Sequence, residues 1–297
     1  MNPYEGSIMK IWMDGQLVDE SEAKVSVFDH GVLYGDGVFE GIRIYNGKIF
    51  QCTPHIDRLF ESADKLRLPI PFSKQELVDA MYEAMAANGL TDGGYIRLVV
   101  TRGAGTLGLH PFKCPKACVF IIADQIQLYP EELYETGMAV IIAKRPRIRP
   151  DMLDPSVKGL NYLNNILAKM EAIDVDLLEA VMLNADGYVS ECTGDNIFII
   201  ADGKLMTPPT SAGILVGVTR NVAMMLAKKE GIEVIERNIT PVELKAADEI
   251  FLTGTAAEIM AVTKVDETVI GDGKAGPVTT QLLKAFRDFI NTDEASK

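Results

Sequence analysis

Positive charge is in deficit: the 297 residues carry 29 Lys and Arg against 42 Asp and Glu, a net charge of −13. So acidic a chain repels phosphate backbones, and no basic run is interleaved with aromatics, which excludes nucleic acid as an expected partner. The densest basic stretch, Lys144-Arg-Pro-Arg-Ile-Arg149, reads as a solvated loop or as a loop near an anionic ligand. Cysteine is sparse as well. Cys52, Cys114, Cys118 and Cys192 form no framework, and Cys114 with Cys118 has only His110 nearby. Neither a disulfide scaffold nor a zinc or other metal site is expected; reduced thiols in a cytoplasmic setting are. The first nine residues lack a basic region leading into an apolar run, so no signal peptide is expected. No stretch reaches the ~20 apolar residues of a membrane span. Repeats and low-complexity tracts are missing too, and only the polar end, Asn291 to Lys297, looks like a disordered tail.

What is present has the balance of a soluble globular protein, 47% apolar and 24% charged. At ~150 residues per domain the length suggests two domains. Turn chemistry marks hairpins at Asp14-Gly15, Asn46-Gly47 and Asp186-Gly187. Thr53-Pro54 reads as the start of a helix with Ile56, Leu59, Phe60, Ala63 and Leu66 on one face. Capping boxes at Ser73/Glu76 and Thr240/Glu243 open two more. Further helices are expected over Leu160 to Ile173, Val218 to Glu230 and Pro277 to Ile290. The polar segment from Gln125 to Thr136 reads as a linker. The expected layout is a smaller domain over residues 1–124, a linker over 125–136 and a larger domain over 137–297. Strands and helices are grouped more than alternated, so the expected class is α+β, in two domains.

Gly103-Ala-Gly-Thr-Leu-Gly108 matches G-x-G-x-x-G after a strand, and keeps a nucleotide-dependent oxidoreductase open as a remote reading. A dinucleotide fingerprint needs a helix next, however, and Pro111 and Pro115 follow closely. A glycine-rich loop is the preferred reading. Lys158 is the only charged residue between Asp154 and Lys169, just before the helix expected at Gly159-Leu160. Dipole and desolvation there both favour the neutral amine that a nucleophilic or Schiff-base lysine requires. Taken alone, Glu191 reads as a surface carboxylate after a hairpin. Arg58 likewise reads as a surface arginine pairing with Glu61. Gly217-Val218-Thr219 opens a helix, whose free N–H groups suit a phosphate.

Five blocks occur in order: Tyr34-Gly-Asp-Gly-Val-Phe-Glu-Gly-Ile-Arg43, Lys158-Gly-Leu-Asn-Tyr-Leu-Asn-Asn-Ile-Leu-Ala168, Ser190-Glu-Cys-Thr-Gly-Asp-Asn196, Leu215-Val-Gly-Val-Thr-Arg220 and Thr253-Gly-Thr-Ala-Ala-Glu258. Together they resemble the branched-chain amino-acid aminotransferases, fold-type-IV pyridoxal 5'-phosphate enzymes. The resemblance implies that Lys158 carries the cofactor and that Glu191 pairs with its ring nitrogen. It implies that Tyr162 meets the phenolic oxygen. Arg58, Gly217, Val218, Thr219 and Thr255 would hold the phosphate. For substrate it implies Ala256, Ala257 and Tyr95, with Thr255 beside them, at the α-carboxylate. Tyr34 and Phe39 would line an apolar pocket, and Arg97 would take the distal carboxylate of glutamate. It also implies a cofactor cleft between two domains, a homodimer, and ping-pong transfer between Leu, Ile or Val and 2-oxoglutarate. The compact Lys158-to-Tyr162 spacing also resembles D-amino-acid transaminases, and aminodeoxychorismate lyase shares the lysine and cofactor. Glu40-Gly-Ile-Arg43 resembles the branched-chain group.

Overall fold

The computed structural model describes residues 9–126 and 129–297. The N-terminal stretch read for a signal peptide, and positions 127 and 128 of the expected linker, lie outside them. The chain divides into two compact units. The first takes residues 1–126 with two later segments, Val157–Asn161 and Asp293–Lys297; the second takes Gln127–Ser156 and Tyr162–Thr292.

Within the first unit the elements run β1 (Lys10–Met13), β2 (Gln16–Asp19), α1 (His30–Tyr34), β3 (Gly37–Tyr45), β4 (Lys48–Ile49), α2 (Cys52–Lys65), α3 (Lys74–Ala87), β5 (Gly94–Thr101) and β6 (Cys118–Gln125). The six strands form one antiparallel sheet, ordered β2-β1-β6-β5-β3-β4. Alternation gives it two unlike faces. Ile42, Ile44, Ile96, Leu98 and Val100 join Ile56, Leu59, Leu77 and Met81 of α2 and α3 in one core. The opposite face carries Phe39, Gly41 and Arg43 of β3 opposite Val99, Arg97 and Tyr95 of β5.

α2 begins at Cys52, one residue before the expected Thr53 cap, and its N-cap Gln51 makes no side-chain capping bond. The cap comes from the far end of the chain: Gln51 N donates to Ala295 O at 2.7 Å and Thr53 N to Lys297 O at 3.0 Å. The polar C-terminal end is therefore a folded 3-10 turn with Ala295 buried, not a disordered tail. Its contacts are main-chain carbonyls satisfying helix N–H groups, which side-chain polarity does not reveal.

The second unit runs α4 (Glu132–Thr136), β7 (Met138–Ile142), α5 (Leu163–Ile173), β8 (Ala180–Leu183), β9 (Val189–Cys192), β10 (Asn196–Ala201), β11 (Lys204–Thr207), α6 (Val218–Lys229), β12 (Val234–Glu236), α7 (Pro241–Lys245), β13 (Glu249–Gly254), β14 (Glu258–Val265), β15 (Thr268–Val269) and α8 (Pro277–Phe289). Its sheet is ordered β12-β11-β10-β13-β14-β7-β8-β9, with β15 on β14. β7 pairs in parallel with both β14 and β8, and β11 with β12, while the other pairs are antiparallel. A mixed sheet in one unit and an all-antiparallel sheet in the other make the architecture α+β. Both capping boxes, at Ser73 and Thr240, are formed. All four cysteines are free thiols. Among the described residues no helix is long and apolar enough to cross a membrane.

Candidate active site

Lys158 is held by main chain. Phe39 N donates to Lys158 O at 3.0 Å, Leu160 N to Gly37 O at 2.9 Å, and Lys158 N to Ser62 Oγ at 3.2 Å. With an isolated antiparallel bridge between Val38 and Gly159, these bonds tie the lysine segment to the start of β3. Gly37 makes the approach possible: a Cβ there would lie 2.5 Å from Leu160 Cδ1 and 2.6 Å from Val100 O. The helix expected at Gly159-Leu160 begins instead at Leu163, with Tyr162 as its N-cap. Lys158 is therefore not at a helix N-terminus, and the dipole argument for its reactivity falls away.

The lysine Nζ lies 4.9 Å from the centre of the Phe39 ring, and the Arg97 guanidinium lies 4.7 Å from the same ring. Arg97 also reaches Tyr95, with Nη2 3.2 Å from the hydroxyl. Lys158, Phe39, Arg97 and Tyr95 thus share the sheet face turned away from the core. Phe39 is buried, but it stands apart from the core cluster, which lies on the other face. Gly41 leaves room for Tyr95, since a Cβ on it would fall 1.8 Å from the tyrosine oxygen.

Tyr34, 41% exposed, ends α1 and accepts a hydrogen bond from Gly108 N at 2.9 Å. Gly105 N donates to Phe28 O, and His30 Nε2 meets Thr106 O at 2.9 Å. The glycine-rich loop is bound to α1 by these contacts, and a 3-10 turn at Pro111–Lys113 follows it. No helix N-terminus is offered to a dinucleotide there, so the fingerprint reading fails.

On the core face of the same sheet stands a charged cluster that the sequence reading passed over. Glu40 is fully buried and accepts Arg58 Nε at 2.8 Å and Nη2 at 2.7 Å. His55, also fully buried, meets the same carboxylate through Nδ1 at 2.8 Å. The surface role expected for Arg58 is corrected by this bidentate pairing; its side chain is 11% exposed. Parity is the signal that finds Glu40, which alternates with Val38, Ile42 and Ile44 on the apolar phase of β3. Burial alone would push the Glu40 carboxyl up, but the Arg58 charge and the His55 hydrogen bond outweigh it and hold it well below the usual carboxylate range. Burial pushes the His55 imidazole below its ordinary value of 6.5, against the pull of Glu40.

Both shifts tie stability to pH in the same direction. Between its folded value and 6.5, His55 binds fewer protons folded than unfolded, so its stabilising effect is present above 6.5 and lost as pH falls below it. Glu40 adds stability above its ordinary 4.5, which is lost as pH falls further toward the folded value. The melting temperature should hold from pH 8 to 7, drop below about 6.5 and drop again below about 4.5. His55→Gln, which keeps an N–H for Glu40, should flatten the first drop and leave the second. Unchanged slopes in scans of that variant from pH 8 to 4 would contradict the assignment.

In the second unit Glu191 lies in β9, buried, and is not the surface carboxylate expected. Arg147 Nη2 sits 2.7 Å from Oε1, while Asn196 Nδ2 and Leu215 N donate to Oε2 at 3.1 and 3.0 Å. Arg147 is itself buried and gives Nη1 to Asn165 Oδ1 at 2.8 Å. One member of the basic run is thus interior and paired, whereas its neighbours Lys144, Arg145 and Arg149 are exposed. Arg147, Asn165 and Asn196 were missed; neither asparagine has a pattern that would have exposed it.

Gly217 caps α6, and Val218 and Thr219 form its first turn. Asn196 Oδ1 lies where a Cβ on Gly217 would stand, 2.1 Å away. Thr219 Oγ1 is buried with no hydrogen-bond partner among the described residues. Thr255, Ala256 and Ala257 form the turn from β13 to β14. That turn is drawn close to Asp195, whose Oδ1 would be 1.9 Å from a Cβ on Gly254. The expected residues therefore fall into two sets, Lys158, Phe39, Tyr95, Arg97, Arg58 and Tyr34 in one unit, and Tyr162, Glu191, Gly217 to Thr219 and Thr255 to Ala257 in the other.

Comparison with known proteins accords with this geometry. A Methanocaldococcus jannaschii protein, provisionally named a branched-chain-amino-acid aminotransferase, is 51% identical over 95% of this chain and 96% of its own. The D-alanine aminotransferase of Listeria monocytogenes (serotype 4b) is 40% identical over 95% and 96%. Among solved structures, the branched-chain amino acid aminotransferase of Thermobaculum terrenum, in its PLP-bound holo form, superimposes with a TM-score of 0.85 at 30% identity, covering 95% of this chain and 94% of its own. The sequence profile of amino-transferase class IV matches residues 37–265, from the start of β3 to the end of β14. The chain belongs to the class IV aminotransferase family.

Proposed function

We propose that this protein is a pyridoxal 5'-phosphate enzyme that moves the amino group between branched-chain L-amino acids and 2-oxoglutarate. The fit to the cofactor rests on the start of α6. A buried threonine hydroxyl with no partner among the described residues, two first-turn N–H groups and a glycine cap lie together where an anion would complete them. When bound, the cofactor supplies a ring that accepts electrons from the substrate Cα. Lys158 Nζ would be the amine that holds the cofactor through its aldehyde carbon, and the same amine, when free, would be the base that moves the proton at the substrate Cα. Glu191 would keep a proton on the ring nitrogen, and Tyr162 would donate to the phenolic oxygen. Arg58, Gly217, Val218, Thr219 and Thr255 would hold the phosphate.

Ala256 and Ala257 N–H groups with Tyr95 orient the α-carboxylate, with Thr255 beside them. Phe39 and Tyr34 present apolar surface to the side chain, and Arg97 receives the distal carboxylate of glutamate. The observation that carries the reading is the lysine segment bonded to β3 with its amine against the Phe39 ring, which the Arg97 guanidinium also meets. A homodimer is proposed as well; the exposed Val27, Phe28, Val32, Leu107, Leu109 and Phe112 supply apolar surface for a second copy.

A D-amino-acid transaminase is the second reading, favoured by the 40% identity to the Listeria enzyme. Rates with L-valine, L-leucine, L-isoleucine and D-alanine, each against 2-oxoglutarate, decide between them. An apolar pocket matched to a branched side chain should favour the L-substrates roughly 10- to 200-fold. Faster turnover of D-alanine, or pyruvate release from aminodeoxychorismate, would reject the branched-chain assignment.

A further inference from the structure

We propose that Glu40 is a positioning residue for cofactor binding: with His55 behind it, its carboxylate fixes the plane of the Arg58 guanidinium that meets the phosphate. The inference rests on the reading of Arg58 as a phosphate ligand. Two parallel bonds from Nε and Nη2 to the two carboxylate oxygens define both the distance and the plane of the guanidinium. His55 Nδ1 occupies the oxygen shared with Nη2 and blocks rotation of the carboxylate. The anchor is interior and the arginine stands nearer the surface, 0% against 11% side-chain exposure.

A purely structural purpose is poorly served by such a pair. Glu40 lies among Val38, Ile42, Ile44 and Leu98, where an apolar side chain of similar volume would pack at least as well. What an apolar residue cannot do is order an arginine before its ligand arrives. Held by Glu40, Arg58 loses its rotamer freedom during folding, and binding the phosphate no longer requires that loss. The histidine suits the task because, held neutral by burial, it braces the carboxylate without adding a competing cation.

The test compares pyridoxal 5'-phosphate with pyridoxal, which has the same aldehyde and ring but no phosphate. Apoenzyme prepared from each holoenzyme is titrated with both, and the ratio of the two dissociation constants isolates the phosphate contribution. Arg58→Ala should lower that ratio by roughly 10- to 100-fold, the range of charge-assisted hydrogen bonds. Glu40→Gln should lower it by about 5- to 20-fold while the pyridoxal constant moves less than about twofold. Glu40→Asp, which keeps the charge but withdraws it by one methylene, should fall between wild type and Glu40→Gln, and it decides the matter if the glutamine variant does not fold. If the Glu40 variants weaken both ligands equally, the role is general support and the proposal is overturned. A ratio lowered by Arg58→Ala but not by the Glu40 variants also overturns it, leaving the reading of Arg58 intact. A ratio unmoved by Arg58→Ala removes that reading and the proposal together.

Discussion

Lys158→Ala should lose essentially all transamination, at least ~10⁴-fold, because one change removes the residue proposed as both the covalent attachment point and the proton carrier. The fold should survive. Every bond that fixes this segment uses its own main chain: Lys158 N to Ser62 Oγ of α2, and Phe39 N to Lys158 O and Leu160 N to Gly37 O along β3. Alanine keeps all three, and the half-buried side chain it removes is not part of the core. Stability should therefore change by no more than about 1 kcal/mol. Borohydride treatment of the wild-type holoenzyme should fix the cofactor to the peptide containing Lys158, with loss of the visible band. The variant should show no such labelled peptide. Label on another lysine, or turnover in Lys158→Ala above about 1% of wild type, would mean that a different amine performs the chemistry.

Why this lysine was found, while its local structure was misread, follows from what patterning reports. Hairpins at Asp14-Gly15 and Asn46-Gly47 and capping boxes at Ser73 and Thr240 are local devices, and each is where its residues place it. The segment Val157–Asn161 has no apolar period. It is positioned by main-chain bonds to β3, more than a hundred residues earlier, so a helix assigned from the residues that follow it ran too far upstream. The C-terminal end repeats the lesson. Its composition is that of a tail, and its carbonyls cap α2.

Charged residues of the site divide on similar grounds. Glu191 and Arg58 were named only through the resemblance, since each alone reads as surface. Glu40 was legible from parity: a carboxylate on the buried phase of an apolar strand needs a buried partner, and α2 offers His55 and Arg58 one turn apart. Arg147 was not legible. Nothing distinguishes it from Arg145 and Arg149 on either side, and only the tertiary approach of β9 and α5 selects it.

Removing Glu191 should damage the protein twice, and the two effects can be separated. Its carboxylate takes Arg147 Nη2 on one oxygen and two N–H donors, from Asn196 and Leu215, on the other. Glu191→Ala leaves the Arg147 guanidinium, 9% exposed, without its counter-charge, which should cost about 3–5 kcal/mol of unfolding free energy. Glutamine helps little, because its NH₂ must face either the guanidinium or the two donors on the opposite side. Turnover should also fall, roughly 10²- to 10³-fold, since the group proposed to keep the ring nitrogen protonated is gone. Pairing Glu191→Met with Arg147→Met removes both charges and restores apolar packing, so chemical denaturation should return most of the lost stability. Activity should stay low. A double variant that regains stability and turnover together would show that Glu191 serves only to neutralise Arg147, and its assignment to the cofactor nitrogen would have to be withdrawn.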